Sequence, residues 1–258
     1  MYFRLILLIL TFLSASPAWA MTGKQVIEQQ KQRHSVSSGR CIAEMKLIDS
    51  QGNEQLRTMK LLTREKANGS RDFLAVFLTP EEVRGTALLA KMDQSGKGDL
   101  YLYLPAAGAM QKISGGSKKN DFMGSDFTYE DLEPEPVDSY EYEILRSEIH
   151  DGQNCWVIEA VPADRRQARA SAYSKRLLWI TKAHMATLRV EFYDRRERLM
   201  KFLINRDIMV WRPKTSIMED ANTGHKTIIT LVGEEEVNIP LEDSLFTVEA
   251  IKNQVHCK

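Results

Sequence analysis

The residues best suited to chemistry form a carboxylate cluster near the middle of the chain. Its members are Asp126, Glu130, Asp131, Glu133 and Glu135. Two neighbouring carboxylates can act as a general acid and a general base, so the cluster is a candidate hydrolytic site. Acidic residues are also favoured in the first turn of a short helix, where the helix dipole stabilises negative charge. This second interpretation needs no active site, and we therefore expect the protein not to be an enzyme.

Patterns for metals, nucleophiles and phosphates are weak in this sequence. The histidines are scattered, and none is spaced with another His, a Cys or a carboxylate as metal ligands are. They are His34, His150, His184, His225 and His256. No Gly-x-Ser-x-Gly elbow occurs, and the glycine-rich stretch at 94–98 lacks the first glycine and the Ser or Thr of a phosphate loop. We expect no metal and no cofactor.

The charge balance limits the kind of partner. The chain has 35 basic and 35 acidic residues. Nucleic acid demands a basic face, so the even balance argues against it. Two short arginine clusters, at residues 165–169 and 195–198, could meet lipid phosphates, although solvated loops and turns are the better explanation of both.

The first 20 residues have the three parts of a secretory signal peptide. Arg4 is the positive region, Leu5–Leu13 is the apolar run, and Ala18-Trp19-Ala20 is a small-x-small cleavage site. The apolar run is too short to span a membrane. No cysteine follows the cleavage site, so a lipid anchor is not expected. The predictions are cleavage after Ala20, export to the periplasm, and one soluble domain over residues 21–258, since no linker or repeat divides the remainder.

Three cysteines would then lie in an oxidising compartment. They are Cys41, Cys155 and Cys257. Two of them could form a disulfide and leave one thiol over, or all three could be unpaired. The sequence does not decide between these alternatives.

The regular elements are one helix followed by many strands. Thr22 and Gln25 form a capping box that opens a helix to about Arg33, with Val26 and Ile27 facing inward. From Gly39 onward the hydrophobic period becomes two. The predicted strands are Cys41–Ile48, Leu56–Thr63, Phe73–Leu78, Thr86–Met92, Leu100–Leu104, Tyr140–Ile149, Cys155–Val161, Lys175–Thr181, Thr187–Tyr193, Leu199–Asn205, Asp207–Trp211 and Lys226–Val232. An antiparallel sheet of ten or so strands must curl or close.

Several of these strands are apolar on both faces. Phe73 and Phe77 alternate with Leu74 and Leu78, and the leucines of residues 100–104 alternate with tyrosines. Two apolar faces need two covers. One cover can be packed helices, whereas the other is either a hydrophobic interior left open for a ligand or an ordinary packed core.

A stretch at residues 121–132 interrupts the strand pattern. It contains Ser125, Asp126 and the capping-box pair Thr128 and Asp131, and prolines follow directly. This pattern predicts one or two turns of helix, which are too short to be stable alone and must lie on an apolar surface. The apolar anchors of the stretch are Phe122, Met123, Phe127 and Leu132.

Three segments together resemble the signatures of a known family. They are residues 77–89 (FLTPEEVRGTALL), 100–105 (LYLYLP) and 122–132 (FMGSDFTYEDL). In this order they resemble the periplasmic outer-membrane lipoprotein-sorting family, whose members are similar to the LolA and LolB carriers. One departure is that residues 106–111 replace a run of basic residues that members often have after the Leu-Pro pair.

The resemblance implies an α+β fold, in which a wide curved antiparallel sheet forms a half-open β-barrel with a short helical lid. It also implies a hydrophobic cavity for an acyl chain. The residues expected to line the cavity and lid are Phe73, Phe77, Leu100, Leu102, Leu104, Phe122, Met123, Phe127, Tyr129 and Leu132. The implied function is a monomeric periplasmic carrier of a lipid or lipoprotein, with transient membrane contact.

Further expectations concern partners and alternatives. Some family members accompany envelope transporters of the resistance-nodulation-division type, so such a transporter is an implied partner. A sensor of lipid or lipoprotein on the same scaffold is the main alternative function, and a hydrolase that uses the central carboxylates is the third.

Overall fold

One antiparallel sheet of 13 strands dominates the computed structural model, which describes residues 21–134, 136–209 and 212–257. The predicted signal peptide and Glu135 lie outside the described residues. The order of strands is β6-β5-β4-β3-β2-β1-β13-β12-β11-β10-β9-β8-β7. The sheet is therefore two meanders joined at the centre, where β1 pairs with β13.

The N-terminal half of the sheet consists of the first six strands. They are β1 (Ser38–Ile48), β2 (Glu54–Glu65), β3 (Arg71–Thr79), β4 (Ala87–Met92), β5 (Gly98–Leu104) and β6 (Ala109–Ile113). The C-terminal half consists of the other seven. They are β7 (Tyr140–His150), β8 (Gln153–Pro162), β9 (Lys175–Thr181), β10 (Thr187–Tyr193), β11 (Leu199–Ile208), β12 (Pro213–Asp220) and β13 (Lys226–Val237).

The two edge strands, β6 and β7, follow one another in sequence. The sheet is curved and does not close, so the chain must pass from one edge to the other across its open side. Residues 114–139 make this passage. The predicted fold class, a wide curved antiparallel sheet that forms a half-open barrel, is confirmed.

Two strands, β6 and β12, were not predicted. The short strand β6 follows the 3₁₀ turn Pro105–Ala107 and lacks a clear alternation of apolar and polar residues. The predicted strand Asp207–Trp211 is wrong in its boundaries: β11 continues to Ile208, and the next strand begins at Pro213. Asp207 has a positive φ of 52°, although Ile208 after it still pairs with Pro213. Residues 210 and 211 of the predicted strand lie outside the described residues.

Among the described residues, the α-helices are few and short. They are α1 (Gly23–Arg33), α2 (Arg165–Ala170) and α3 (Val248–Lys252). The predicted capping box of α1 is confirmed, with Thr22 and Gln25 each bonding the other's backbone. Val26 and Ile27 are buried against Ile158 and Ile180. No helix among the described residues is both long enough and apolar enough to cross a membrane.

Both faces of the N-terminal half are apolar, as predicted, and each has its own cover. On β4, Leu88 belongs to the inner face and Leu89 to the outer face, and both are fully buried. The C-terminal segment covers the outer face through Phe246 and Ile251. Residues from the passage between the edges cover the inner face.

The three cysteines are unpaired, which decides between the two alternatives. Cys41 lies in the inner-face cluster of the N-terminal half, Cys155 lies in a cluster of the C-terminal half, and Cys257 packs on the outer face. Because they belong to separate clusters, the fold gives no pair of them a common site.

Candidate functional site

Residues 120–132, which we call the crossing segment, lie on the inner face of the sheet. The segment folds into a small hairpin: the amide of Phe122 donates to the carbonyl of Phe127 at 2.7 Å, and the amide of Tyr129 donates to Asn120 at 3.1 Å. Gly124, with φ of 74°, makes the turn. The predicted helix is reduced to one 3₁₀ turn, Glu130–Leu132.

The local residues explain this reduction. The hydroxyl of Ser125 donates to the carbonyl of Phe122 at 2.7 Å, so it stabilises the hairpin turn instead of capping a helix. The pair Thr128 and Asp131 forms the predicted capping interaction, with the Thr128 amide donating to the Asp131 carboxylate at 2.7 Å. Glu133 is already extended, and the helix therefore stops after one turn.

The crossing segment meets the N-terminal half through apolar contacts. Phe122 stacks on Phe77 with a centroid distance of 5.7 Å, and Tyr129 packs edge-on against Phe122 at 5.6 Å. One polar contact accompanies them, from the Arg57 guanidinium to the carbonyl of Met123 at 2.6 Å.

Nine of the ten residues predicted to line the site lie in this one cluster. They are Phe73, Phe77, Leu100, Leu102, Leu104, Phe122, Met123, Tyr129 and Leu132. The tenth, Phe127, packs in a neighbouring cluster with Tyr173 and Phe192, and Leu132 contacts both clusters. Phe77, Phe122, Leu100 and Phe127 are all buried, so the crossing segment fills the face that it covers.

The crossing segment meets the C-terminal half through charged contacts. The ammonium of Lys201, on β11, donates to the Asp131 carboxylate at 2.7 Å and to the carbonyl of Asp126 at 2.6 Å. The Tyr173 hydroxyl donates to the other oxygen of Asp131 at 2.8 Å. The side chains of Lys201 and Asp131 are only 8% and 6% exposed, so this is a buried ion pair.

A second set of polar contacts extends this attachment. The Asp126 carboxylate lies 2.8 Å from the His225 imidazole and accepts a hydrogen bond from the Thr227 hydroxyl at 2.7 Å. Glu130 accepts from the amide of Ala172 at 2.8 Å. We call these contacts to Lys201, Tyr173, His225, Thr227 and Ala172 the polar clasp.

Burial shifts the pKa of two groups in the polar clasp. Desolvation raises the pKa of the Glu130 carboxyl above its usual value, although hydrogen bonds from Ser171 and Ala172 oppose the shift. Desolvation also raises the pKa of the Tyr173 phenol well above its usual value, and the charge of Asp131 adds to this. Tyr173 therefore remains a hydrogen-bond donor to Asp131 at any physiological pH.

The carboxylates that suggested catalysis thus have structural partners. Asp126, Glu130 and Asp131 all bind the C-terminal half, and Glu133 forms an ion pair with Lys118 at 2.7 Å. Among the described residues, no group of three or more His, Cys, Asp or Glu side chains is arranged to hold a metal ion.

A cavity of about 390 Å³ opens beside the crossing segment. Met123, Leu104 and the β3–β4 turn at residues 81–86 line it. A larger cavity of about 960 Å³ lies at the opposite end of the sheet, between the end of α1 and the turns after β7, β9 and β11. It is lined by His34, His184 and Met209 among others, and sequence patterns did not indicate it.

Sequence reasoning also missed the partners in the polar clasp. Lys201 occupies an inward position of β11, two residues before the apolar Leu203, and a lysine at an inward position of a strand is a detectable signal. Tyr173 and His225 lie in turns, where no periodic pattern marks them. The pairing of β11 with β12 and of β12 with β13 brings Lys201 and His225 to the crossing segment, and the hydrogen bond from Ser174 to Tyr193 holds the Tyr173 loop beside β10.

Comparison with known proteins agrees with this architecture. A family model described as "Uncharacterized protein" matches residues 69–253, and no curated protein matches the chain. A solved structure from Vibrio parahaemolyticus, assigned as an outer membrane lipoprotein-sorting protein domain, is 32% identical with a TM-score of 0.80. The match covers 89% of this chain and 98% of that one.

Two further structures are similar. A DUF1329-family protein from Desulfovibrio piger is 26% identical with a TM-score of 0.82, and the match covers 89% of this chain and 97% of that one. A LolA-superfamily protein from Nitrosomonas europaea has a TM-score of 0.67 at 23% identity, with 89% and 99% covered, and shows the shared fold. From this sheet topology, and from the identity to the Vibrio domain over almost its whole length, the chain belongs to the outer-membrane lipoprotein-sorting protein family and has a LolA-like fold.

Proposed function

We propose that this protein is a periplasmic carrier that binds an acyl chain of a lipid or lipoprotein on the inner face of the N-terminal half. It would take the chain from one envelope membrane, or from a transporter of the resistance-nodulation-division type, and release it elsewhere. The observation that carries the proposal is the difference between the two sides of the crossing segment: it is apolar towards the N-terminal half, whereas towards the C-terminal half buried charged contacts accompany the apolar packing of Phe127.

An acyl chain can replace the apolar side of the crossing segment. Phe122 and Tyr129 contribute only hydrocarbon contact to the sheet below them, and a lipid tail offers the same contact at about 0.8 kcal/mol per buried CH₂. A lipid tail cannot replace the polar clasp, because removal of Lys201 from Asp131 would leave buried charges unpaired. The crossing segment would therefore lift from the N-terminal half and stay attached to the C-terminal half.

The proposed ligand-binding residues follow from this movement. The sheet residues Phe73, Phe77, Leu100, Leu102 and Leu104 would form the floor, and Phe122, Met123, Tyr129 and Leu132 would be the part of the crossing segment that the ligand displaces. Phe127 lies at the border of the site, on the attached side. The cavity beside Met123 and Leu104 borders the same apolar cluster and would serve as its entrance.

The structural roles of the central carboxylates favour a carrier over a hydrolase. Asp131 is occupied by Lys201 and Tyr173, and Asp126 by His225 and Thr227. A general base must be able to reach a substrate proton, and these carboxylates are saturated by protein groups.

The test is binding of a fluorescent fatty acid, together with mass spectrometry of lipids extracted from gently purified protein. Leu88→Ala on the inner face and Leu89→Ala on the outer face form a matched pair, since both residues are fully buried neighbours on β4. Leu88→Ala is expected to weaken probe binding about tenfold through lost apolar contact, whereas Leu89→Ala leaves it unchanged. Equal affinity of both variants, or wild type that neither binds the probe nor retains lipid, would reject the proposal.

A further inference from the structure

The structure brings together three basic segments that are far apart in sequence. They are residues 115–119, 164–170 and 194–198, which hold eight lysine and arginine residues and three acidic ones. The ammonium of Lys119 donates to the carbonyl of Arg169 at 2.7 Å, and the Arg195 guanidinium donates to the carbonyl of Ala168 at 3.3 Å. All three segments therefore meet at the end of α2, and we call their common surface the basic patch.

Most cations of the basic patch have no carboxylate partner among the described residues. Arg198 pairs with Asp194 at 2.7 Å, and Lys118 pairs with Glu133 at 2.7 Å. No ion pair with a described residue engages the other six, which are Lys119, Arg165, Arg166, Arg169, Arg195 and Arg196. All five arginines in this set are exposed. Since the whole chain has a net charge of zero, the remainder of the molecule carries an acidic excess.

Stabilisation of α2 accounts for only part of this arrangement. Lys119 and Arg195 bind carbonyls at the C-terminal end of the helix, where cations are favourable. Arg165, Arg166 and Arg196 have no such role in the described contacts, and their solvated positions leave their guanidinium groups available. Concentrated like charge has an electrostatic cost, so the excess indicates an anionic partner.

The basic patch adjoins the polar clasp. Lys119 directly precedes the crossing segment. Glu133 directly follows it and forms an ion pair with Lys118, so the basic patch lies at both ends of the segment. The chain after α2 leads into Ala172 and Tyr173, which hold Glu130 and Asp131. A partner on the basic patch would thus lie next to the attached side of the crossing segment.

We infer that the basic patch docks this protein on the surface of an anionic phospholipid bilayer. Guanidinium groups bind phosphate through paired hydrogen bonds, and clusters of four to eight basic residues attract anionic membranes. The energetic centres of protein interfaces combine Trp and Tyr with Arg, and the three segments have arginines without any aromatic residue. The purpose of docking, to place the crossing segment at the membrane, rests on the proposed carrier function, whereas the docking itself does not.

The experiment measures partition of the protein onto vesicles of phosphatidylcholine with and without phosphatidylglycerol. The wild type is expected to bind only the anionic vesicles and to dissociate at high salt. The triple variant Arg165→Gln, Arg166→Gln, Arg196→Gln is expected to lower the partition coefficient about a hundredfold, from about 1 kcal/mol for each basic residue. Its matched control, Lys97→Gln, Lys214→Gln, Lys252→Gln, removes the same charge from exposed positions elsewhere and should bind nearly as the wild type does.

Three results would overturn the inference. They are equal binding to both kinds of vesicle, an equal loss in the two triple variants, and binding to polyglutamate without binding to anionic vesicles, which would make the partner an acidic protein. Fatty-acid probe binding, measured on the same samples, separates the two proposals. Lost vesicle docking with intact probe binding leaves the carrier function standing, and docking without probe binding rejects the carrier function alone.

Discussion

The crossing segment meets the two halves of the sheet through different kinds of contact. Towards the N-terminal half, Phe122 and Tyr129 pack on an apolar face, and among the described residues Arg57 supplies the one hydrogen bond. Towards the C-terminal half, Lys201 and Tyr173 bind a buried carboxylate. Apolar contacts can be exchanged for other apolar contacts at little cost, whereas separating a buried ion pair leaves a buried charge without its partner. We therefore expect the crossing segment to move away from the N-terminal half and to stay attached to the C-terminal half.

A large effect is expected where the attached side loses its buried cation. Lys201→Met leaves the Asp131 carboxylate buried without its cation, so the free energy of unfolding should fall by about 3–5 kcal/mol. Lys226→Met is the control, because its ion pair with Glu219 is 3.7 Å long and partly exposed, and it should cost about 0–1 kcal/mol. Denaturant unfolding measures both. Similar losses in the two variants would mean that the polar clasp does not attach the segment.

Truncation of one aromatic anchor on each side sharpens the comparison. Phe122→Ala and Phe127→Ala each remove a buried ring and should cost about 3–5 kcal/mol of stability. Their effects on the fatty-acid probe should differ. Phe122→Ala weakens the contact that competes with the ligand and should tighten probe binding, whereas Phe127→Ala changes it little. If Phe127→Ala alone tightened probe binding, the crossing segment would lift from the C-terminal half and not from the N-terminal half.

A single hydrogen bond in the polar clasp should have an intermediate effect. Tyr173→Phe removes the hydroxyl that donates to Asp131 and is expected to cost about 1.5–3 kcal/mol, since the acceptor is charged and buried. Tyr193→Phe removes a comparable bond to Glu191 in a more open position and should cost less. A larger loss from Tyr193→Phe in thermal unfolding would contradict the importance of the polar clasp.

The smallest expected effect is a pH dependence at Glu130. Burial raises the pKa of this carboxyl in the folded protein above 4.5, so the folded state binds a proton more tightly than the unfolded state does. The cost of burying the ionised form is therefore fully present above the folded pKa and disappears as the pH falls towards 4.5. Glu130→Gln removes this cost. The Tm of the variant minus that of the wild type should be more positive at neutral pH than near pH 4.5, and the opposite trend would show that burial does not control this group.

Much of the candidate site was visible in the sequence. The capping pair Thr128 and Asp131, the apolar anchors and the alternation on β3 and β5 are local patterns. The five predicted residues on β3 and β5 share one cluster because residues of equal parity on a strand share a face. Phe127 fell into the neighbouring cluster, since the segment forms a hairpin and not the predicted helix. The helical prediction failed because the Ser125 hydroxyl bonds within the turn.

What the sequence determined by itself was therefore the local structure: the capped helix α1, the period-two strands with two apolar faces, and a capped break between them. The pairing of β1 with β13 and the positions of β6 and β7 at the two edges were decided only by the tertiary structure. Those long-range pairings place Lys201 and His225 against the crossing segment and gather three basic segments into one patch. Sequence patterns report the preferences of neighbouring residues, whereas a contact between residue 131 and residue 201 depends on how the whole sheet curves.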